Sequence, residues 1–322
     1  MVNNLLTLNE AFVSAVEKHQ NGDFFGAREL YQNILKVFPA HFQSLGNLGA
    51  LELKFGEPEK AKKAFLEALK INPNFSDAHY NLGVIFHESG IEKKAIYHYK
   101  KAFKNNLNSP SIYYNLANLY REMGSFVDAK QFYKKAIDLN PDFADAHFNL
   151  GLSLLTREQF EQGFYHYEWR KQLVSFRPYA EKVRDTSKEW EGQSLRGKKI
   201  LIIAEQGIGD TVQFARYISF ILEMKPKEIL LQVDRKLAHF FAESEVTVVS
   251  GETTCPLYHC YIFLMSLPGL FFKATGKLYR KVSFLPSNVQ VGLKWKKKLE
   301  SLQGIKVGLN WQGSELHKND RH

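Results

Sequence analysis

Cysteine is almost missing from this chain: Cys255 and Cys260 are the only two in 322 residues. That scarcity excludes a disulfide framework and a cysteine-built metal site. Long apolar runs are missing as well, since none approaches the roughly 20 residues that span a bilayer. The opening Met1-Val2-Asn3-Asn4-Leu5-Leu6 lacks the basic start and extended apolar core of a secretory leader. A soluble, reduced, cytoplasmic protein without a resident metal is therefore expected. The length suggests about two domains.

The net charge of +9 is lopsided. Residues 1–160 carry 18 Lys and Arg against 17 Asp and Glu, whereas 161–322 carry 25 against 17. Part of the excess sits in Lys273, Lys277, Arg280, Lys281, Lys294, Lys296, Lys297 and Lys298. Such a cluster suits a phosphorylated substrate, a membrane surface or nucleic acid, or is the solvated face of a helix. No nucleic-acid module accompanies it, so no nucleic-acid partner is expected.

What the first half has in abundance is repetition. Ala27, Ala61, Ala95, Ala129 and Gly163 recur 34 residues apart, as do Tyr31, Phe65, Tyr99, Tyr133 and Tyr167. Gly49, Gly83, Ala117 and Gly151 place a small residue twelve positions ahead of the first series. Pro39, Pro73 and Pro141 close the units, with Leu107 where a further proline would stand. Small residues let two antiparallel helices approach, the aromatic fills the gap, and proline ends the second helix. This grammar is similar to that of tetratricopeptide (TPR) repeats. Units fit at 8–41, 42–75, 76–109 and 110–143, with a fifth at 144–177 that decays. Stacked pairs of this kind build a superhelix with an inner groove.

Asn47, Asn81, Asn115 and Asn149 form a ladder at the same period. On first helices lining a groove, side-chain amides offer donor and acceptor to an extended peptide. They equally suit bonds between neighbouring helices. His79 and His147 lie two residues before two of these asparagines, with Leu45 and Tyr113 at the other two sites. Mixed identities argue against metal ligation and point to groove lining or helix surface.

Residues 171–198 read as a polar connecting segment anchored by Phe176 and Trp190. Its Gly192-Gln193-Ser194-Leu195-Arg196-Gly197-Lys198 mimics a phosphate loop. However, Lys199 stands where Ser or Thr would bind magnesium, and the motif precedes a strand. From 199 onward an α/β pattern appears. A buried strand over 200–203 leads into Gly207-Ile208-Gly209-Asp210-Thr211 and a helix carrying Val212, Phe214, Ala215 and Ile218. Gly207 and Gly209 are read as a tight turn and Asp210 or Thr211 as its helix cap. Val212 occupies the third glycine position of a dinucleotide fingerprint, which is therefore absent. Strands follow over 229–233, 246–249 and 261–263, a short helix over 237–243, a basic helix over 291–302 and a strand over 306–311. The order predicts a parallel sheet.

Several motifs then fall into place: Tyr167-Glu168-Trp169-Arg170, Trp190, Glu205-Gln206-Gly207-Ile208-Gly209-Asp210-Thr211-Val212-Gln213-Phe214-Ala215-Arg216-Tyr217, Ser266-Leu267-Pro268, Val307-Gly308-Leu309-Asn310-Trp311-Gln312-Gly313 and Asn319-Asp320-Arg321. Together they resemble a bacterial family in which a TPR array is fused to a two-domain (GT-B) glycosyltransferase module. The module is similar to the family-9 heptosyltransferases, and the domain plan to protein O-GlcNAc transferases. The resemblance implies an all-α TPR superhelix (1–170), a connecting segment (171–198) and an α/β Rossmann-like GT-B N-terminal domain (199–303). Residues 304–322 would begin an incomplete second domain.

It also implies sugar transfer from a nucleotide sugar, as substrate rather than cofactor, to a protein or glycan hydroxyl. Asp210 becomes a candidate general base, or simply a helix-capping aspartate. Gln206, Gly207, Gly209 and Gln213 become substrate-binding candidates. His259 either faces the cleft or is a buried structural histidine. With the donor domain missing, catalysis is expected to be weak or absent in this chain. The alternative is a TPR scaffold that binds a protein or peptide without catalysis.

Overall fold

The structure is a computed structural model, and it describes residues 7–183, 187–205, 207–242, 244–251, 255–279 and 297–298. The chain divides into two compact units. The first is Met1–Arg184 with Pro268–Lys277; the second is Asp185–Leu267 with Leu278–His322.

The first unit is built from helical hairpins. They pair α1 (Leu8–Gln20) with α2 (Phe24–Val37), α3 (Phe42–Lys54) with α4 (Pro58–Ile71), and α5 (Ser76–Glu88) with α6 (Glu92–Asn105). Next come α7 (Pro110–Glu122) with α8 (Phe126–Leu139), and α9 (Ala144–Thr156) with α10 (Phe160–Tyr167). The 34-residue grammar has a steric basis. A methyl group added at Gly83 would lie 2.5 Å from the Tyr99 ring, and one at Gly49 would lie 2.8 Å from Phe65. Tyr31, Phe65, Tyr99 and Tyr133 are fully buried. Each ring takes the space its unit's small residue leaves.

A second 34-residue series marks the turns inside the hairpins. Gly22, Gly56, Gly90 and Gly124 all have φ between +69° and +83°. Their Cβ positions are open, so backbone conformation rather than packing selects glycine there. The fifth unit places Glu158 at this position with φ +58°. This is the unit that decays: α10 stops early and passes into a 3-10 turn over Glu168–Gln172.

Within that turn Arg170 is buried, its Nη1 donating to Glu168 Oε1 at 2.7 Å. Its guanidinium lies 4.7 Å from the centre of the Tyr167 ring and 5.8 Å from that of Phe176. Burial alone would raise the Glu168 carboxyl; Arg170 and Lys171 overcome it and hold the group below its usual range. The Tyr-Glu-Trp-Arg stretch is thus a structural plug. It leads to a short 3-10 turn (Val174–Phe176) and α11 (Arg177–Ala180). The outer side of α10 is covered by Pro268–Lys277, where Phe272 meets Phe160 and Phe164 at 5.5 and 6.0 Å between ring centres.

The second unit holds a parallel sheet of five strands: β1 (Lys188–Glu189), β2 (Lys199–Ile203), β3 (Glu228–Gln232), β4 (Thr247–Val249) and β5 (Cys260–Phe263). The spatial order is β1-β5-β2-β3-β4. Ile200, Leu201, Ile202 and Ile203 are completely buried in the central strand, as a sheet covered on both faces requires. After β2 come α12 (Ile208–Phe214), a 3-10 turn over Ala215–Tyr217 and α13 (Ile218–Glu223); α14 (Leu267–Thr275) follows β5.

Several expectations need correction. The helix placed over 237–243 is only a 3-10 turn, Ala238–Phe240. The helix after the glycine turn breaks at Ala215, leaving Val212 partly exposed while Thr211 is buried. Its cap is Gly207, with Asp210 already inside the first turn and Thr211 Oγ1 donating back to the Gly207 carbonyl at 3.0 Å. Neither Gly207 nor Gly209 has a positive φ, so the tight-turn explanation fails. The expected strand over 306–311 and most of the basic helix over 291–302 lie outside the described residues.

Candidate functional site

Two places concentrate chemistry, one in each unit. In the first, the asparagine ladder runs along α3, α5, α7 and α9. Asn115 Nδ2 donates to the Tyr80 hydroxyl at 2.8 Å, and Asn149 Nδ2 to the Tyr114 hydroxyl at 3.0 Å, each tyrosine 35 residues back on the preceding first helix. Asn149 also reaches Asn118 Oδ1. The residue 35 back from Asn81 is Gly46, where a side chain would meet the Phe75 ring at 2.4 Å. With no hydroxyl there, Asn81 bonds the Asp77 carbonyl of its own helix at 2.8 Å. Asn47 turns to Tyr31 at 3.1 Å.

The four amides are half-buried; Asn149 spends two N–H donors in these bonds and the other three spend one each, so each amide is anchored through its nitrogen and offers its oxygen as acceptor. Burial pushes the hydroxyl pKa of Tyr31, Tyr80 and Tyr114 upward. These phenols therefore stay neutral.

His79 and His147 are not groove or surface residues. Both are buried, and each pairs with a histidine nineteen positions later: His79 with His98 at 3.0 Å and His147 with His166 at 2.8 Å. The mixed identities at this position hid the pairing, because the partner lies on the second helix of the same hairpin.

In the second unit the strand order reverses between β2 and β5, the place where open α/β sheets bind ligands. There Glu205, just beyond β2, is buried, and its carboxylate accepts the Met265 backbone N–H at 3.2 Å. Gly207 and Gly209 follow, both exposed, and a Cβ at Gly209 would meet nothing within 4 Å. Asp210 is half-buried in the first turn of α12, and Gln213 is exposed. Gln206 lies outside the described residues. Gln232, at the same end of β3, has a buried Oε1 with no hydrogen-bond partner.

His259 does not join this group. Its Nδ1 accepts from the Lys199 N–H, and its own N–H donates to the Lys199 carbonyl, both at 2.9 Å. Lys199 opens β2, so His259 sits at the opposite end of the strand, about 15 Å from the glycine turn by strand rise. Glu205 was the residue not singled out from sequence. A carboxylate directly after a buried apolar strand was the available signal.

Among the described residues no group of three or more His, Cys, Asp or Glu is arranged to hold a metal ion. No helix among them is long and apolar enough to cross a membrane. Of the basic cluster, Lys273, Lys277, Lys297 and Lys298 are described and exposed.

Models described as "Tetratricopeptide repeat" match residues 110–143 and 132–164, and one described as "TPR repeat" matches 49–90. The hairpins are tetratricopeptide repeats. Protein FlbA of Caulobacter vibrioides is 33% identical over 151 residues, covering 40% of this chain and 25% of FlbA. The chain thus spans about a quarter of the length of that curated relative.

Among solved structures, the MamA protein is 22% identical with a TM-score of 0.45, covering 55% of this chain and 96% of MamA. Pseudomonas aeruginosa pilF is 17% identical with a TM-score of 0.47, covering 51% and 75%. YrrB, described as a TPR protein with an unusual peptide-binding site, is 17% identical with a TM-score of 0.45, covering 55% and 93%.

Proposed function

We propose that this protein is an interaction scaffold whose TPR array holds an extended segment of a partner protein. The observation that carries this reading is the ladder itself. Four half-buried asparagine amides on successive first helices are each anchored by an N–H bond and offer one carbonyl oxygen per repeat to the N–H groups of a guest backbone. Main-chain recognition of this sort is tolerant of guest sequence. A library of unstructured peptides screened against the full chain tests it. The Asn115→Ala, Asn149→Ala double variant should weaken the best binder by tenfold or more while the helical content is retained. Unchanged affinity in a folded double variant would remove the ladder from the binding surface.

A second reading is supported by the parallel sheet: a glycosyltransferase-like α/β half, with 199–303 as its first domain and 304–322 as the start of another. Its support is the strand reversal flanked by Glu205, an open glycine pair and Asp210. In that reading Asp210 accepts the proton of an acceptor hydroxyl while the sugar leaves its nucleotide. Turnover of a panel of nucleotide sugars by a full-length relative carrying both domains, compared with its variant bearing asparagine at the position of Asp210, tests it. A drop of two or more orders of magnitude is expected, and equal turnover in both excludes the role.

A further inference from the structure

The two histidine pairs, the first buried and the second part-buried, are a duplicated device that peptide binding does not require. His79 and His147 are 68 residues apart, two repeat periods, and so are their partners His98 and His166. The contact recurs down to its anchor. His79 Nε2 lies 3.1 Å from the Pro73 carbonyl, and His147 Nε2 lies 3.0 Å from the Pro141 carbonyl. A carbonyl can only accept, so each Nε2 carries a proton and each Nδ1 of His79 and His147 is a bare acceptor. The partner's Nδ1–H must then donate. Each pair keeps its N–H···N bond only while the Nδ1 of His79 or His147 is unprotonated.

The other repeats fill the same two positions with apolar groups. They are Leu45 and Ala64 in the second unit, and Tyr113 with Phe132 in the fourth, whose rings are 6.5 Å apart. Histidine is therefore not what the fold needs at this contact. It appears in alternate units, joining α5 to α6 and α9 to α10.

We propose that the His79–His98 and His147–His166 pairs are a built-in acid switch, which loosens the third and fifth hairpins when they take up protons. A first proton, on the free Nε2 of His98 or His166, leaves the N–H···N bond but places a cation in the interior. A second sets N–H against N–H and breaks the bond. The surrounding charges mostly oppose protonation. Lys94 and Lys101 bear on the first pair, and Lys130 and Lys134 of α8 on the second; only Asp142 acts the other way, on His147. Aromatic rings also pack there: Phe86 and Tyr97 around the first pair, Trp169 stacked on His147 at 3.9 Å and Tyr165 beside His166.

Burial first, and the partner histidine second, lower His98 and His166 to about 4 from an ordinary 6.5. Burial also lowers His79 and His147. The unfolded hairpins take protons near 6.5 while the folded ones resist. The pairs therefore contribute full stability above pH 6.5 and lose it as the pH falls towards 4.

Hydrogen exchange on the full chain at pH 7.5 and 5.0, corrected for intrinsic rates, tests the switch. Protection in α5, α6, α9 and α10 should fall by tenfold or more on acidification, with α7 and α8 little changed. Copying the fourth unit into the third, as His79→Tyr with His98→Phe, should abolish the acid response of α5 and α6 and leave that of α9 and α10. Equal acid loss in α7 and α8, or an acid response that survives the exchange, would overturn the proposal. Should the exchanged chain fail to fold, NMR titration of the unaltered chain decides. Four histidines titrating near 6.5 refute the switch, and His98 and His166 still neutral at pH 5 uphold it.

Discussion

The two units reach a buried core by opposite routes. In the TPR array each aromatic meets a small residue sixteen positions earlier in the same unit, as Phe65 meets Gly49 and Tyr99 meets Gly83. Every such contact is local and is repeated in the next unit. In the sheet unit, β2 has β5 on one side and β3 on the other, and β5 begins 57 residues after β2 ends. Loops must close before those contacts form. An array of nearest-neighbour contacts yields piecemeal to damage, whereas a sheet with one central strand is lost as a whole.

The sharpest way to break this comparison is to remove one large core group from each. Phe65→Ala should cost about 3–5 kcal/mol and Leu201→Ala about 2–5 kcal/mol. By hydrogen exchange, the first should deprotect α3, α4 and their neighbours and fade along the array. The second should deprotect β2, β3 and β5 together. Uniform deprotection of all the hairpins by Phe65→Ala would end the one-dimensional picture.

A smaller effect is expected at an ion pair inside the array. Arg28 Nε and Nη2 bind the two oxygens of the buried Glu52 at 2.9 and 2.8 Å, tying α2 to α3. Arg28→Met leaves that carboxylate unpaired, at about 2–3 kcal/mol by urea denaturation. Combining it with Glu52→Gln should recover most of the loss. No recovery would mean that packing of the arginine stem, not its charge, is what matters.

The ladder supplies a finer contrast. Asn149→Ala loses bonds to another helix and should cost about 1–1.5 kcal/mol, whereas Asn81→Ala loses one bond to its own helix, at about 0.5 kcal/mol. A double-mutant cycle of Asn149 with Tyr114→Phe should show coupling that Asn81 lacks. Opposite in sign is Glu158→Gly. It relieves a side chain from φ +58° and should stabilise the fifth hairpin by about 0.5–1 kcal/mol, read as slower exchange in α9 and α10.

Legibility follows the same division. The 34-residue period revealed the hairpins, their small–aromatic contacts and their order, because each contact lies within one repeat. The α/β alternation gave β2 to β5 within a residue or so, but neither β1, which lies in the stretch read as a connecting segment, nor the details of the glycine turn. There the helix starts at Ile208, earlier than a capping Asp210 or Thr211 requires, because Gly207 adopts the cap conformation and needs no side chain to do so. Gln206, Gly207, Gly209 and Gln213 belong to one motif, whereas His259 stands far from it in sequence, just before Cys260. Strand direction sends His259 to the far end.

By itself the sequence determined the repeat, its steric logic and the class of the second half, since periodicity and apolar runs are local properties of the chain. Tertiary structure alone decided which long-range partners meet. It set Glu205 beside Met265, sixty residues apart, and gave Asn115 the hydroxyl that Asn81 lacks because its counterpart is Gly46. It also turned four histidines, ordinary in one dimension, into two hydrogen-bonded pairs. Hydrogen bonds and burial depend on what lies across a helix interface, and that is fixed only when the hairpins close.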